Sequence, residues 1–139
     1  MIDIDNKTSY EVDAHFLNTI VVSLTNKEIE LVITDNKDIQ MINKEYRGID
    51  KPTDVLSFPY EDMPMTPLGS IVISIDYVQE KSIEFRHTQN DEFALLFIHG
   101  LLHIMGYDHE IDNGEMREKE KEIINNFKLP DSLIVRTQG

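Results

Sequence analysis

Three histidines fall within the eleven-residue segment HGLLHIMGYDH, at His99, His103 and His109. His99 and His103 are four residues apart on a predicted helix, so both imidazoles project from the same face. At that spacing both rings can bind one metal ion at ~2.0–2.1 Å. Gly106 can adopt the left-handed conformation that turns the chain back, which would return His109 to the same ion. The pattern predicts a three-histidine metal site at the centre of the function.

The predicted site leaves one coordination position open. Structural zinc sites usually have four protein ligands, whereas catalytic sites keep a position for water or substrate. The chain has no cysteine, so a metal must be held by His, Asp or Glu. Buried histidines satisfied by hydrogen bonds are the alternative, but two adjacent imidazoles on so apolar a helix need partners that a metal supplies. We expect one Zn²⁺ ion, although imidazole also suits nickel, copper and iron.

The histidine spacing also matches the metzincin protease pattern H-E-x-x-H-x-x-G-x-x-H, but Gly100 occupies the position of the glutamate. That glutamate activates water and protonates the leaving amine. Because glycine cannot accept a proton, peptide hydrolysis by this route is disfavoured. The remaining histidines, His15 and His87, are isolated in the sequence, and we expect surface or structural roles for them.

The composition fits one domain over residues 1–139, since 40% apolar content supports one core and leaves little room for another. No apolar run approaches the ~20 residues of a membrane span. The N-terminal residues MIDIDNKTSY lack the pattern of a signal peptide. We therefore expect a cytoplasmic protein without a membrane partner, and the lack of cysteine excludes a disulfide framework.

The chain is acidic, with 26 Asp and Glu against 13 Lys and Arg and a formal net charge of −13. This charge argues against a protein that coats RNA without sequence preference. It does not exclude an enzyme with a local basic patch, because salt screens exposed charges beyond about 8 Å. In residues 110–122, acidic side chains alternate with Arg117, Lys119 and Lys121, and we interpret this segment as a solvated helix face.

Hydrophobic patterning predicts an α+β fold, a small mixed β-sheet with packed helices. Strands are predicted at residues 2–5, 28–34, 55–60 and 68–75, the last two forming a hairpin with a long connection. Helices are predicted after a capping box of Thr8 and Glu11, from Asp35 to about residue 46, at 76–85, at 91–105, and from Asp112 to about residue 127. Residues 91–105 are apolar on nearly every side, which is typical of a buried helix, and the metal site is expected at its end.

The segment HGLLHIMGYDH resembles the signature of the YbeY family, bacterial endoribonucleases that cut single-stranded RNA in ribosomal RNA maturation and ribosome quality control. YRGIDKPTDVLSFPY at residues 46–60 and LGSIVIS at 68–74 resemble the family's other shared segments, in the family's order. The resemblance spans residues 43 to 127. Ser70 stands where the family usually has an aspartate, which puts any role of that carboxylate in doubt.

The resemblance implies a zinc-dependent endoribonuclease whose partners are a single-stranded ribosomal RNA precursor and the ribosome or a ribosomal protein, without DNA. Phosphodiester cleavage gathers negative charge on phosphoryl oxygens and therefore needs a Lewis acid and a fixed cation. Arg47 offers a planar fork of donors suited to phosphate, and its family counterpart is regarded as important to activity. We expect Arg47, His99, His103 and His109 to be catalytic. Either a metal-activated water or the RNA 2′-hydroxyl can be the nucleophile.

Two other functions fit the same residues: a metallohydrolase of a peptide or small molecule, and a ribosome-associated binding protein with structural zinc. The second needs a fourth ligand, for which Asp108 and Glu110 are the nearest residues.

Carboxylates that could orient Arg47 or a histidine are Asp50, Asp54 and Asp108. Side chains that could line an RNA groove or serve as ordinary surface residues are Lys44, Lys51, Arg86 and His87. Phe58 and Tyr107 fit the core better than a role in base stacking.

Overall fold

The structure is a computed structural model that describes residues 1–108 and 110–129. Along the chain the elements are β1 (Ile2–Asn6), α1 (Ala14–Leu24), β2 (Ile29–Thr34), α2 (Asn36–Arg47), β3 (Val55–Pro59), β4 (Gly69–Ser74), α3 (Ile75–Glu84), α4 (Gln89–Ile104) and α5 (Glu115–Asn126). His109 and residues 130–139 lie outside the described residues. The predicted fold class, α+β with a small mixed sheet and packed helices, is confirmed.

The four strands form one sheet in the order β1-β2-β4-β3. β2 pairs in parallel with both β1 and β4, while β3 pairs antiparallel with β4. Val55 lies opposite Ile73, and Pro59 lies opposite Gly69. The predicted hairpin with a long connection is therefore confirmed, and it leaves β3 at an edge of the sheet.

The two faces of the sheet carry different cores because successive strand side chains alternate in direction. Ile71 and Ile73 belong to the main core, which also contains the apolar face of α4. Val72 belongs to a smaller cluster with Ile39 of α2 and Leu56 of β3. The prediction of a buried helix is confirmed, since most α4 side chains are buried, and burying one such as Phe97 contributes about 1.5–3 kcal/mol. None of the helices within the described residues has the length and apolar character needed to cross a bilayer.

The predicted start of the first helix was wrong. α1 begins at Ala14, and the Asp13 carboxylate caps it by accepting a hydrogen bond from the Phe16 backbone N–H at 3.1 Å. The Thr8 hydroxyl instead donates to Asn6 Oδ1 and accepts from the Tyr10 N–H. Short polar side chains stabilise such turns as readily as helix ends, so the capping pattern alone did not locate the helix.

The other predicted helix ends agree better with the structure. Asp35 caps α2 by accepting from the Asp38 N–H at 2.9 Å. Gly106, which follows α4, has the predicted left-handed conformation, with φ of 101°. Asp112 is not the N-cap of α5, because Gly114 occupies that position. The Asp112 carboxylate nevertheless accepts from the N–H groups of Gly114 and Met116, so it supports the same helix start.

Gly69, the first residue of β4, lies where β3 and the end of α4 both approach closely. A Cβ at this position would be 2.6 Å from the Phe58 carbonyl oxygen and 2.8 Å from Ile104 Cγ2. Since atoms cannot remain at such separations, either the β3 backbone or α4 would have to move. The absence of a side chain at Gly69 therefore allows the end of α4 to rest on the sheet.

We expect Gly69→Ala to lower the free energy of unfolding by about 1–3 kcal/mol, because overpacking forces backbone shifts. The measurement is urea unfolding at equilibrium. Ser70→Ala is the control, because Ser70 is the next residue of β4 and its side chain points to the opposite face of the sheet. Equal unfolding midpoints for Gly69→Ala and wild type would contradict the packing described.

Candidate functional site

His99 and His103 lie one turn apart on α4, and the structure places their rings on the same helix face, as the spacing predicts. Their Nε2 atoms are 3.1 Å apart, and the two ring planes meet at 80°. The His99 side chain is 32% exposed, so the pair opens to solvent although the rest of α4 is largely buried. Two imidazole nitrogens therefore meet at the wall of a cleft.

The distance between these two nitrogens would allow both of them to bind the same metal ion. Two nitrogens bound to one ion at ~2.0–2.1 Å with a tetrahedral angle are about 3.3 Å apart. The observed 3.1 Å is close to that value. The expected third ligand, His109, lies outside the described residues. Within residues 1–108 and 110–129, no group of three or more His, Cys, Asp or Glu side chains is arranged to hold a metal.

The cleft beside the histidines has a volume of about 370 Å³, which is within the range of small-ligand sites. The residues that line it come from α2, the loop before β3, β3 itself, α4 and the segment after α4: Arg47, Asp54, Val55, Ser57, His99, Gly100, His103, Asp108 and Glu110. The structure thus brings Arg47 together with His99 and His103, which are more than fifty residues away along the chain.

Arg47 is the last residue of α2, and its side chain reaches the edge strand β3. Its Nη2 donates to the Ser57 carbonyl oxygen at 3.4 Å. Gly48 then ends the helix in a left-handed conformation with φ of 71°. The guanidinium is exposed, so it adds an accessible positive charge to the cleft that contains the histidines.

Asn43 holds the loop that follows Arg47, and sequence reasoning missed it. Its side chain is buried on α2, and its Nδ2 donates to the Lys51 carbonyl oxygen at 2.9 Å. The Asn43 carbonyl oxygen also accepts from the Ile49 N–H. An asparagine among the apolar positions of an amphipathic helix is the signal that could have identified it.

Glu120 contacts the other nitrogen of His99. Its Oε1 is 3.0 Å from His99 Nδ1, and its side chain is only 4% exposed. The interpretation of residues 110–122 as a solvated face was therefore wrong for this residue, although it holds for Glu118 and Glu122. Glu120 lies on the buried stripe of α5, whose other members are Met116, Ile123 and Ile124. An acidic residue within that apolar period was the available signal.

The carboxylates proposed from sequence as orienting groups accept hydrogen bonds from backbone or side-chain donors near them in the chain. Asp54 Oδ1 accepts from the Val55 N–H at 2.7 Å. Asp50 accepts from Gln40 Nε2 at 3.0 Å, and Asp108 Oδ1 accepts from the Glu110 N–H at 3.0 Å. Asp54 and Asp108 line the cleft, Asp50 does not, and Glu120 is a carboxylate that contacts His99.

Several residues considered from sequence lie away from the cleft. His87 contacts the buried Glu92 at 2.7 Å near the opposite end of α4, which agrees with the expected structural role. Ser70 points to the α2 face of the sheet, away from the histidines. Phe58 packs on Tyr46, and Tyr107 packs on the main core. Exposed positions outside the cleft lining are occupied by His15, Lys44, Lys51 and Arg86.

Gly100 directly follows His99 on α4 and lies against the sheet. A Cβ there would lie 3.1 Å from Ile71 Cγ2 and 3.2 Å from Val55 Cγ2. The position that carries the glutamate in metzincin proteases therefore faces tight packing in this chain. A glutamate side chain at Gly100 would have to displace β3 and β4 side chains.

This chain is similar in sequence and fold to known proteins. The family model described as Endoribonuclease YbeY matches residues 3–128. A relative named Endoribonuclease YbeY from Sulfurimonas denitrificans is 63% identical over 139 residues, which cover 100% of both chains. Another of that name from Aliarcobacter butzleri is 62% identical over 138 residues, covering 98% of this chain and 99% of the relative. The solution structure of a Thermotoga maritima protein matches with a TM-score of 0.62 and 27% identity, covering 99% of this chain and 92% of the other.

We expect Asn43→Ala to lower the free energy of unfolding by about 1–3 kcal/mol, because the Lys51 carbonyl loses a buried donor. Urea unfolding measures the loss, and hydrogen exchange of the Ile49 amide should become faster. Asn125→Ala provides the control, since Asn125 is an exposed asparagine on another helix. Stability and exchange unchanged from wild type would show that Asn43 does not hold this loop.

Proposed function

Because the chain belongs to the YbeY family of endoribonucleases, we propose that it cleaves single-stranded RNA in ribosomal RNA maturation and ribosome quality control. In the proposed site, His99, His103 and His109 bind one zinc ion. We propose that the protein acts in the cytoplasm. The observation that supports it best is the convergence of two imidazole nitrogens and the Arg47 guanidinium on one open cleft.

The donor set fits zinc better than a hard cation such as magnesium, because neutral imidazole is a preferred zinc ligand. When bound, the ion supplies Lewis-acid chemistry, which stabilises charge on a phosphoryl oxygen and activates water. Three histidines would leave a coordination position for the substrate. The exposure of His99 and its place in the cleft wall are consistent with access for RNA.

Arg47 would bind the phosphate that is cleaved. A guanidinium has five N–H donors, so its bond to the Ser57 carbonyl oxygen uses only part of its capacity. In the transition state, negative charge grows on the phosphoryl oxygens, and a fixed cation in a partly enclosed cleft stabilises that charge. The exposed end of Arg47 faces the same cleft as the histidines, which is the placement this role needs.

The charge of the protein supports delivery of the RNA by a partner. The net charge is −13, and three carboxylates, those of Asp54, Asp108 and Glu110, line the cleft with Arg47. Such a surface provides little long-range attraction for a polyanion. We propose that the ribosome or a ribosomal protein positions the RNA strand, and that Arg47 acts at short range.

The test compares wild-type protein with His103→Ala, purified identically, on a labelled single-stranded ribosomal RNA fragment and on a labelled peptide. We expect wild type to cut the RNA, to lose this activity on chelation, and to leave the peptide intact. His103→Ala should not cut either substrate. Peptide cleavage by wild type alone would favour a metallohydrolase of another substrate. Equal RNA cleavage by both proteins, or none by either, would overturn catalysis at this site and leave a binding protein with structural metal.

We expect Arg47→Ala to reduce kcat for RNA cleavage by about 10²–10³-fold, because removing one preorganised donor to a transition-state oxyanion has an effect of that size. Arg47→Lys should recover only part of the rate, since an ammonium lacks the planar fork. The measurement is single-turnover cleavage with saturating enzyme. Arg117→Ala is the matched control, an exposed arginine on α5 outside the cleft lining. An equal loss in both variants would show a general charge effect instead of a role for Arg47.

A further inference from the structure

Two acidic residues are buried within the described part of the chain, Glu92 and Glu120. Removing a carboxylate from water costs several kcal/mol unless charge-assisted hydrogen bonds compensate for the lost hydration. Glu92 contacts His87, away from the cleft. Glu120 contacts His99 inside the candidate site, at 3.0 Å. Glu120 therefore differs from Glu92 in its location, because its buried carboxylate contacts a histidine of the cleft.

We propose that Glu120 is a positioning residue for His99, an inference that rests on the metal site of the proposed function. The Glu120 carboxylate accepts a hydrogen bond from His99 Nδ1–H and so holds the ring in one orientation and one tautomer. The Nε2 atom of His99 then carries its lone pair toward His103 Nε2 and the cleft. This division of the two ring nitrogens is the state in which His99 can bind a metal.

The tautomer argument follows from the chemistry of imidazole. In a neutral ring one nitrogen carries the proton and the other carries the lone pair, and the hydrogen bond made by one nitrogen selects the tautomer. An ionised carboxylate only accepts hydrogen bonds, so its placement at Nδ1 selects protonation there. The second torsion of a histidine side chain is broad and only weakly preferred by itself. The contact with Glu120 supplies the orientation that the side chain lacks.

The position of Glu120 is itself held by packing. α5 carries Met116, Ile123 and Ile124 on its buried face, and α5 packs against α4. Glu120 lies on that face, so its carboxylate is directed at α4. The two neighbouring acidic side chains on α5 face solvent, where Glu118 pairs with Lys121 and Glu122 pairs with Lys119. The buried face of α5 thus presents one carboxylate, and it meets a histidine of the cleft.

The test uses full-length Glu120→Met, which keeps side-chain length and helix propensity but removes the acceptor, and Glu120→Gln, which keeps a neutral acceptor. Glu122→Met is the matched control on the exposed face of the same helix. Zinc affinity is measured by competition with a chelator. The tautomer of His99 is measured by ¹⁵N NMR of the metal-free protein at about pH 8.5, well above the ordinary histidine pKa of about 6.5. Thermal unfolding of the metal-free protein measures stability.

We expect Glu120→Met to bind zinc about 10–100-fold more weakly, the usual effect of removing the partner of a metal-binding histidine. The Nδ1-protonated population of His99 should fall, and Glu120→Gln should lie between Glu120→Met and wild type. The melting temperature of the metal-free protein should change little, because the cost of leaving His99 Nδ1–H without its acceptor is offset by the removal of a buried charge.

A lower melting temperature with unchanged zinc affinity and tautomer would overturn the proposal and leave Glu120 with a structural role alone. Failure of wild type to bind zinc would overturn the proposed function instead. The tautomer spectrum does not require zinc, so it would still decide whether Glu120 positions His99.

Discussion

Helix α4 packs closely on β3 and β4 through two glycines, and this contact determines where the candidate functional groups lie. Gly69 admits the end of the helix onto β4, and Gly100 lies against Ile71 and Val55 in the middle of the contact. With the apolar residues of α4 buried in the main core, the helix cannot rotate without exposing them. His99 and His103 are consequently held at the edge of the sheet beside β3, where the cleft opens.

The edge strand β3 connects the histidines to the rest of the site. Arg47 ends α2, on the other face of the sheet, and reaches the cleft by extending to the Ser57 carbonyl oxygen of β3. If β3 were an interior strand, the sheet would separate Arg47 on the α2 face from the histidines on the α4 face. Because β3 is short and pairs with β4 alone, a side chain from α2 can pass its outer side. Asn43 and Gly48 then stabilise the turn that begins directly after Arg47.

Among the residues that the structure describes, the buried acidic side chains are Glu92 and Glu120, and each contacts a histidine. Most of the 26 acidic residues can remain hydrated at the surface, and surface ion pairs such as Glu122 with Lys119 contribute little to stability. Glu120 differs because α5 places it under the cleft, where an acceptor can act on His99. The same acidic character limits how RNA could reach the site, since Asp54, Asp108 and Glu110 line the cleft together with Arg47. Substrate binding in such a cleft depends on short-range contacts.

Local patterns in the sequence were enough to predict the fold class, the four strands, the Asp35 cap and the helix that carries His99 and His103. These features depend on neighbours within a few residues, so periodicity and spacing contain the necessary information. The start of α1 was mispredicted because Thr8 could satisfy its hydrogen bonds in a turn as well as in a cap. The helix that covers the Ser70 side of the sheet was not predicted either, because β4 is apolar on both faces and the packing of α2 and α4 decides which helix covers each face.

The contact between Glu120 and His99 was decided by the tertiary structure. Glu120 is 21 residues away along the chain, in a segment whose charges are typical of a solvated helix face. Only the docking of α5 on α4 shows which of its carboxylates is buried, and only the burial of Asn43 shows what holds the loop after Arg47. The sequence by itself determined which residues could bind a metal or a phosphate. Packing between distant elements decided how those residues are oriented, because orientation depends on contacts that no local pattern encodes.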